Sequence, residues 1–138
     1  VDDPTSISSL NINKNHKIFL VSHGFLELGN APWFIKIKNE LIKFDEDATV
    51  ILVDWRGGSS PPYYQAVANI RLVGAILAHF MMALKFELEL PNLDNFHLIG
   101  HSLGAHLSGY AGYVTQRDFD EVIGRITGEK LVGIIKYI

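Results

Sequence analysis

The chain has 138 residues, no cysteine, 48% hydrophobic residues and a formal net charge of −3. That length suits one domain with a real core. The missing cysteines exclude a disulfide framework, a thiolate metal site and a cysteine nucleophile, and the mild charge, with no basic block, excludes the electrostatic footprint of a nucleic-acid binder.

Residues 1–16 open "VDDPTSISSL", polar and mixed, and predict an extended lead-in. No charged start followed by an apolar run, the mark of a signal peptide, is in view there. "KIFLVS" (17–22) is a short apolar run rich in strand formers, bounded by the turn signal His23-Gly24. In "APWFIKIKNELIKF" the residues Trp33, Ile37 and Leu41 recur at helical spacing, with Phe34 beside them and lysines between, which predicts an amphipathic helix. "TVILVD" (49–54) is nearly all β-branched or apolar and suits a strand covered on both faces. "WRGGSSPPYYQ" is a loop by composition. From about Tyr64 the apolar spacing turns helical through Val67, Ile70, Val73, Leu77, Phe80, Met81 and Leu84. Its uncharged stretch, Leu72 to Leu84, is shorter than the ~20 residues a bilayer needs and reads as a buried helix, so no transmembrane segment is expected. "LPNLDN" breaks it. "FHLIG" (96–100) is a third strand, and "LGAHLSGYAGYV" a small-residue helix able to press on a neighbour. "IGRITGEKLVGIIKYI" begins as a strand and stays apolar to its last residue, which predicts an exposed sheet edge and poor solubility there.

Strands alternating with helices predict an α/β fold with a mostly parallel sheet of about four strands and flanking helices. Chemistry in such sheets lies at the carboxyl ends of the strands. His23-Gly24, Asp54 and Ser102 all fall there. Gly100-His101-Ser102-Leu103-Gly104 matches G-x-S-x-G, which a chain of this length meets by accident about 5% of the time, so the context must decide. A strand precedes and a helix follows, as a nucleophile elbow requires. The chain must reverse in almost no space, and a side chain at Gly100 or Gly104 would collide with backbone. The N–H of Leu103 then opens a helix, where partial positive charge can hold an oxyanion. A second donor belongs on the loop after the "VSHGF" strand, and the N–H of Phe25 suits it.

"VSHGF", "VILVDWRGGSSPPYYQAVANIRLVGA", "FHLIGHSLGAHLSGYAG" and "IGRITG" stand in the order seen in the pancreatic-lipase-like family of the α/β-hydrolases. That group includes triacylglycerol lipases, phospholipases A1 and insect egg-yolk proteins. The chain resembles it over roughly residues 3–128, within one incomplete lipase domain whose family-like region is 17–128. The resemblance implies an α/β-hydrolase fold, Ser102 as nucleophile and Phe25 and Leu103 as oxyanion donors. It implies hydrolysis of lipid esters, triacylglycerol or phospholipid, through an acyl-enzyme at a lipid–water interface, in a secreted protein that needs no cofactor and no metal. The yolk-protein branch has lost the serine, whereas "GHSLGAH" is whole here.

The match ends at residue 128, and 129–138 is a divergent apolar tail. In the family "RITG" is followed by Leu-Asp-Pro, whose aspartate is the triad acid. Here Lys130 holds that position and Glu129 stands one residue early, a shift that turns a strand side chain to the other face. The family's histidine lies on a later loop. Of the six histidines present, His16, His23, His79 and His97 read as packing or solvent residues, and His101 adjoins the serine in another direction. His106, four residues after Ser102, has sensible spacing, although its counterpart in the family is not the base. The expectation is a lipase-type ester hydrolase that is inactive as this chain alone; the alternative is a non-catalytic lipid-binding or yolk-protein-like module.

Overall fold

The computed structural model describes residues 12–130 and 133–137. Among the described residues the elements run β1 (Ile18–Ser22), α1 (Pro32–Phe44), β2 (Thr49–Val53), α2 (Tyr63–Glu87), β3 (Leu93–His101), α3 (Leu103–Phe119), β4 (Ile123–Lys130) and β5 (Gly133–Tyr137), with strands and helices alternating as far as β4. They form one sheet in the order β2-β1-β3-β4-β5. The first four strands are parallel, as the alternation predicts, and β5 turns back antiparallel to β4 at the sheet's edge. The apolar tail thus supplies an edge strand; its side chains, like most of the expected lead-in, lie outside the described residues.

β1 is buried at all five positions. It lies between β2 and β3 and is covered on both faces, hence its unbroken apolar run. The register sets Leu20 beside Leu98 and Ile126 on one face, and Val21 beside Ile99 and Thr127 on the other. α3 rests on the first of these faces, with α2 beside it. Leu20, Leu98, Leu103, Leu107 and Ala111 meet there in the core. Each fully buried leucine contributes about 1.5–3 kcal/mol. α1 lies over the second face, where Trp33 and Ile37 border a cleft shared with Val21 and Ile99.

α1 begins with Pro32 at its first turn, where a missing N–H costs nothing. Its fully buried side chain is Phe34, while Trp33, Ile37 and Leu41, the periodic set, are half-buried. α2 has 25 residues and is long and apolar enough, by length and composition, to cross a membrane. One side of it belongs to the core, with Ala66, Ile70, Gly74, Leu77, Ala78, Met81 and Leu84 buried, while Leu72 and Ile76 are exposed. Gly74 allows close packing, since a Cβ on it would meet Tyr110 of α3 at 3.0 Å. β3 begins three residues before the apolar run "FHLIG", because Leu93 is buried and pairs with Ile123 ahead of a register shift.

Candidate active site

A single residue, Ser102, separates the last residue of β3 from the first of α3. Its φ of 52° and ψ of −118° are rarely adopted outside glycine, and this backbone turns the strand into the helix within one residue. Two glycines make that possible. A Cβ on Gly100 would stand 2.3 Å from the carbonyl oxygen of Gly104, and one on Gly104 would stand 2.4 Å from that of Ser22. No relaxation of a side chain removes a clash with backbone. Ser102 is tied down from the other side as well, its N–H donating to the carbonyl of Glu129 at 2.8 Å. Leu103 is the first residue of a 17-residue helix, so its N–H has no intrahelical acceptor and sits at the positive end of the dipole.

The loop after β1 closes on the elbow. A Cβ on Gly24 would lie 2.9 Å from that of Ser102. The N–H groups on either side of Phe25 are engaged. Gly24 donates to the Glu27 carboxylate, Leu26 to the carbonyl of Ser59 at 3.1 Å and Glu27 to that of Gly24 at 3.4 Å. Between them the N–H of Phe25 makes no hydrogen bond among the described residues. The Phe25 ring packs edge-on against Tyr63 with centroids 5.0 Å apart. The loop that follows β2 holds the turn from behind: the indole N–H of Trp55 donates to the carbonyl of His23 at 2.7 Å. "WRGGSSPPYY" is therefore a support of the site rather than a plain connection.

Glu27 ties this region together. One carboxylate oxygen receives the Gly24 N–H and lies 2.9 Å from Nδ1 of His101; the other receives the Trp33 indole N–H at 2.9 Å. Partial burial pushes its pKa up, but the hydrogen bonds from His101, Gly24 and Trp33 and the charge of His101 outweigh that and hold it below the usual glutamate value. Asp54 is also held low, first by the Arg56 guanidinium that it accepts from, against a smaller opposing effect of burial.

Each of the six histidines has a place, and none has a ring nitrogen within hydrogen-bond distance of the Ser102 hydroxyl among the described residues. His16 faces Asp45 at 3.0 Å. His23 is fully buried, with Nδ1 3.0 Å from the carbonyl of Gly24 and Nε2 accepting the Trp55 N–H at 3.0 Å. His79 meets the carbonyl of Ala75, His97 the hydroxyl of Thr127 and His101 the Glu27 carboxylate. His106 is exposed on α3 and lines a groove with Tyr110 and Tyr113. Glu129 is also exposed but borders the other cleft, of about 560 Å³, with Trp33, His101 and Thr127. His106 and Glu129 thus line different depressions. Among the described residues no group of His, Asp and Glu side chains could hold a metal ion.

A sequence profile of the Lipase family matches residues 1–135. The chain belongs to the lipase family. Pancreatic triacylglycerol lipase of Sus scrofa is 42% identical over 128 residues, covering 93% of this chain and 27% of the relative. The enzyme of the same name from Homo sapiens is 43% identical over 126 residues, 91% of this chain and 26% of the relative. Pancreatic lipase-related protein 2 of Myocastor coypus is 41% identical over 126 residues, again 91% and 26%. The chain spans about a quarter of the length of these relatives. The lipase-family α/β-hydrolase sheet accounts for the four parallel strands and the flanking helices.

Within this lipase-family core the sequence motifs pointed to Ser102, Phe25 and Leu103, which the fold brings to one corner. The sequence motifs do not point to Glu27, nor to the hydrogen-bonding roles of the Trp33 and Trp55 indoles. The only local signal for Glu27 was an acidic residue three positions after the loop glycine.

Proposed function

We propose that this chain carries the nucleophile and oxyanion side of a lipid ester hydrolase that works outside the cell. Ser102 Oγ gives up its proton to a base and attacks the ester carbonyl carbon, and the carbonyl π pair moves onto oxygen; the base later passes that proton to the leaving alcohol. The N–H groups of Phe25 and Leu103 receive that oxyanion. Collapse of the intermediate expels the alcohol, which takes up a proton, and leaves an acyl-Ser102 that water then hydrolyses to the acid. The observation that carries this reading is the strained Ser102 backbone packed against Gly24, with the next N–H of the loop, that of Phe25, making no hydrogen bond among the described residues. Losing one oxyanion donor costs about 100- to 1,000-fold in rate, so both donors matter.

Ser102 also needs a base, and among the described residues no histidine is in reach of its hydroxyl. In the family the acid follows "RITG" as part of Leu-Asp-Pro, where this chain has Glu129-Lys130. The expected result with a short-chain nitrophenyl ester is therefore turnover near background for the 138 residues alone. A chain extended with the Asp- and His-bearing regions of a pancreatic lipase reacts with a fluorophosphonate at Ser102. Absence of labelling in that extended chain, with its fold intact, overturns the assignment.

A second reading, a non-catalytic lipid-binding module, is favoured by the apolar cleft of Val21, Trp33, Ile37 and Ile99 beside His101. It predicts one lipid co-purifying per folded, monodisperse chain. A lipid-free chain counts against it.

A further inference from the structure

We infer that Glu27 is a positioning residue for the oxyanion loop: one carboxylate fastens Gly24, and with it the Phe25 N–H, to the residue before the nucleophile and to α1. The inference rests on the reading of Ser102 as nucleophile and adds a residue to that site. The three groups it joins come from three elements. Gly24 lies on the loop after β1, His101 ends β3, and Trp33 opens α1. The Trp33 ring also packs edge-on against His101, centroids 5.0 Å apart, so the carboxylate sits in a corner closed by both rings.

The spacing leaves little freedom. A Cβ on Gly24 would stand 2.9 Å from a Glu27 carboxylate oxygen and 2.9 Å from the Ser102 Cβ. Glu27, Gly24 and Ser102 therefore lie in one line of contact, and a shift of the carboxylate moves the glycine relative to the serine. Leu26 has a φ of 60°, unusual for a leucine, so the loop does not hold this shape by its own backbone preference. Beside the bonds of His23 to Gly24 and Trp55, two anchors flank the Phe25 N–H: the Leu26 N–H on Ser59 and the Gly24 N–H on Glu27. A bare carboxylate this close to a developing oxyanion would repel it. Three donors from Gly24, Trp33 and His101 spread that charge away from the serine, and each bond strengthens with the charge. An aspartate is too short to reach Trp33 and His101 together, and a glutamine supplies one acceptor oxygen in place of two.

The test uses two readouts. In the 138-residue chain, amide hydrogen exchange is followed for Glu27→Gln and Glu27→Ala. The Gly24 amide is expected to exchange at least about tenfold faster in both, while Phe19, Leu20 and Val21 of β1 keep their protection. In the extended chain described above, the maximal rate of fluorophosphonate labelling is expected to fall about tenfold in Glu27→Gln, with the half-saturating concentration unchanged, since a loop set slightly wrong costs rate more than binding. Glu27→Asp recovers part of that rate. Should Glu27→Ala unfold, His101→Gln removes one partner and keeps the carboxylate, and a smaller change of the same sign is expected. Unchanged Gly24 exchange, or a labelling rate within about twofold of the unsubstituted chain, overturns the inference. No labelling of the unsubstituted extended chain overturns the serine reading instead, whatever Gly24 exchange does.

Discussion

Gly24 presses against Ser102 so closely that a Cβ on the glycine would stand 2.9 Å from the Cβ of the serine. Two segments nearly eighty residues apart in sequence thus form one corner. The contact explains why a turn that any small residue could make carries a glycine. It also joins the two halves of the proposed oxyanion hole, since Phe25 follows Gly24 and Leu103 follows Ser102.

Gly24→Ala is therefore expected to force the loop and the elbow apart. The new methyl group meets Ser102 Cβ, a Glu27 carboxylate oxygen and the carbonyl of His101, the last at 3.2 Å. Overpacking of this kind costs about 1–3 kcal/mol, and displacement of a donor by a fraction of an ångström lowers Ser102 labelling by about 10- to 100-fold. Gly57 is the control, with nothing within 4 Å of an added Cβ, so Gly57→Ala is expected to stay within about 0.5 kcal/mol. Urea unfolding of the three chains checks the first effect. Equal midpoints for the two alanine variants count against the packing account.

Much of this site was legible because its strongest constraints are local. The elbow needs glycine two residues either side of the serine, and that spacing is visible in five letters. The parallel strands were legible because strands covered on both faces become apolar runs, as β1 does. What was hidden depends on contacts across the fold. Glu27 is an unremarked acidic residue until Trp33 and His101, the latter 74 positions on, arrive beside it. Trp33 read as one member of an apolar helical stripe, yet its indole N–H is committed to that carboxylate, and the neighbouring Phe34 fills the core instead. β3 starts earlier than its apolar run because polar Asp94 and Asn95 lie within the strand once Leu93 is paired, something composition alone argues against.

His97 predicts a pH dependence of stability. Burial first, and the nearby charges of Arg125 and Lys17 after it, push its pKa down from 6.5 to about 4. The neutral ring is hydrogen-bonded to the Thr127 hydroxyl at 2.9 Å and packs on Phe19. In the unfolded chain the ring takes up its proton near pH 6.5, but in the folded chain only near pH 4. Its contribution is thus intact above pH 6.5 and is lost progressively as the pH falls from there to about 4. Because the ring is only half-buried, solvent screening keeps the loss to about 1 kcal/mol. His97→Gln, which cannot charge, is expected to lose less stability than the unsubstituted chain between about pH 7 and pH 4.5. Parallel losses in urea midpoints remove His97 as the cause.

The Ser102 backbone predicts a conflict between stability and chemistry. A residue with a side chain at φ 52° and ψ −118° costs about 1–3 kcal/mol. Glycine relieves that strain but adds about 0.5–1 kcal/mol of backbone entropy lost on folding. Ser102→Gly is therefore expected to stabilise the chain by about 1 kcal/mol while removing the hydroxyl on which labelling depends. Ser102→Ala removes the same hydroxyl and keeps the strain, so no such gain is expected from it. Comparing the urea midpoints of these two variants separates backbone from side chain. A glycine variant no more stable than the alanine one means that the elbow holds its serine without strain, and that the positive φ is set by the packing of Gly100 and Gly104 at no cost to the fold.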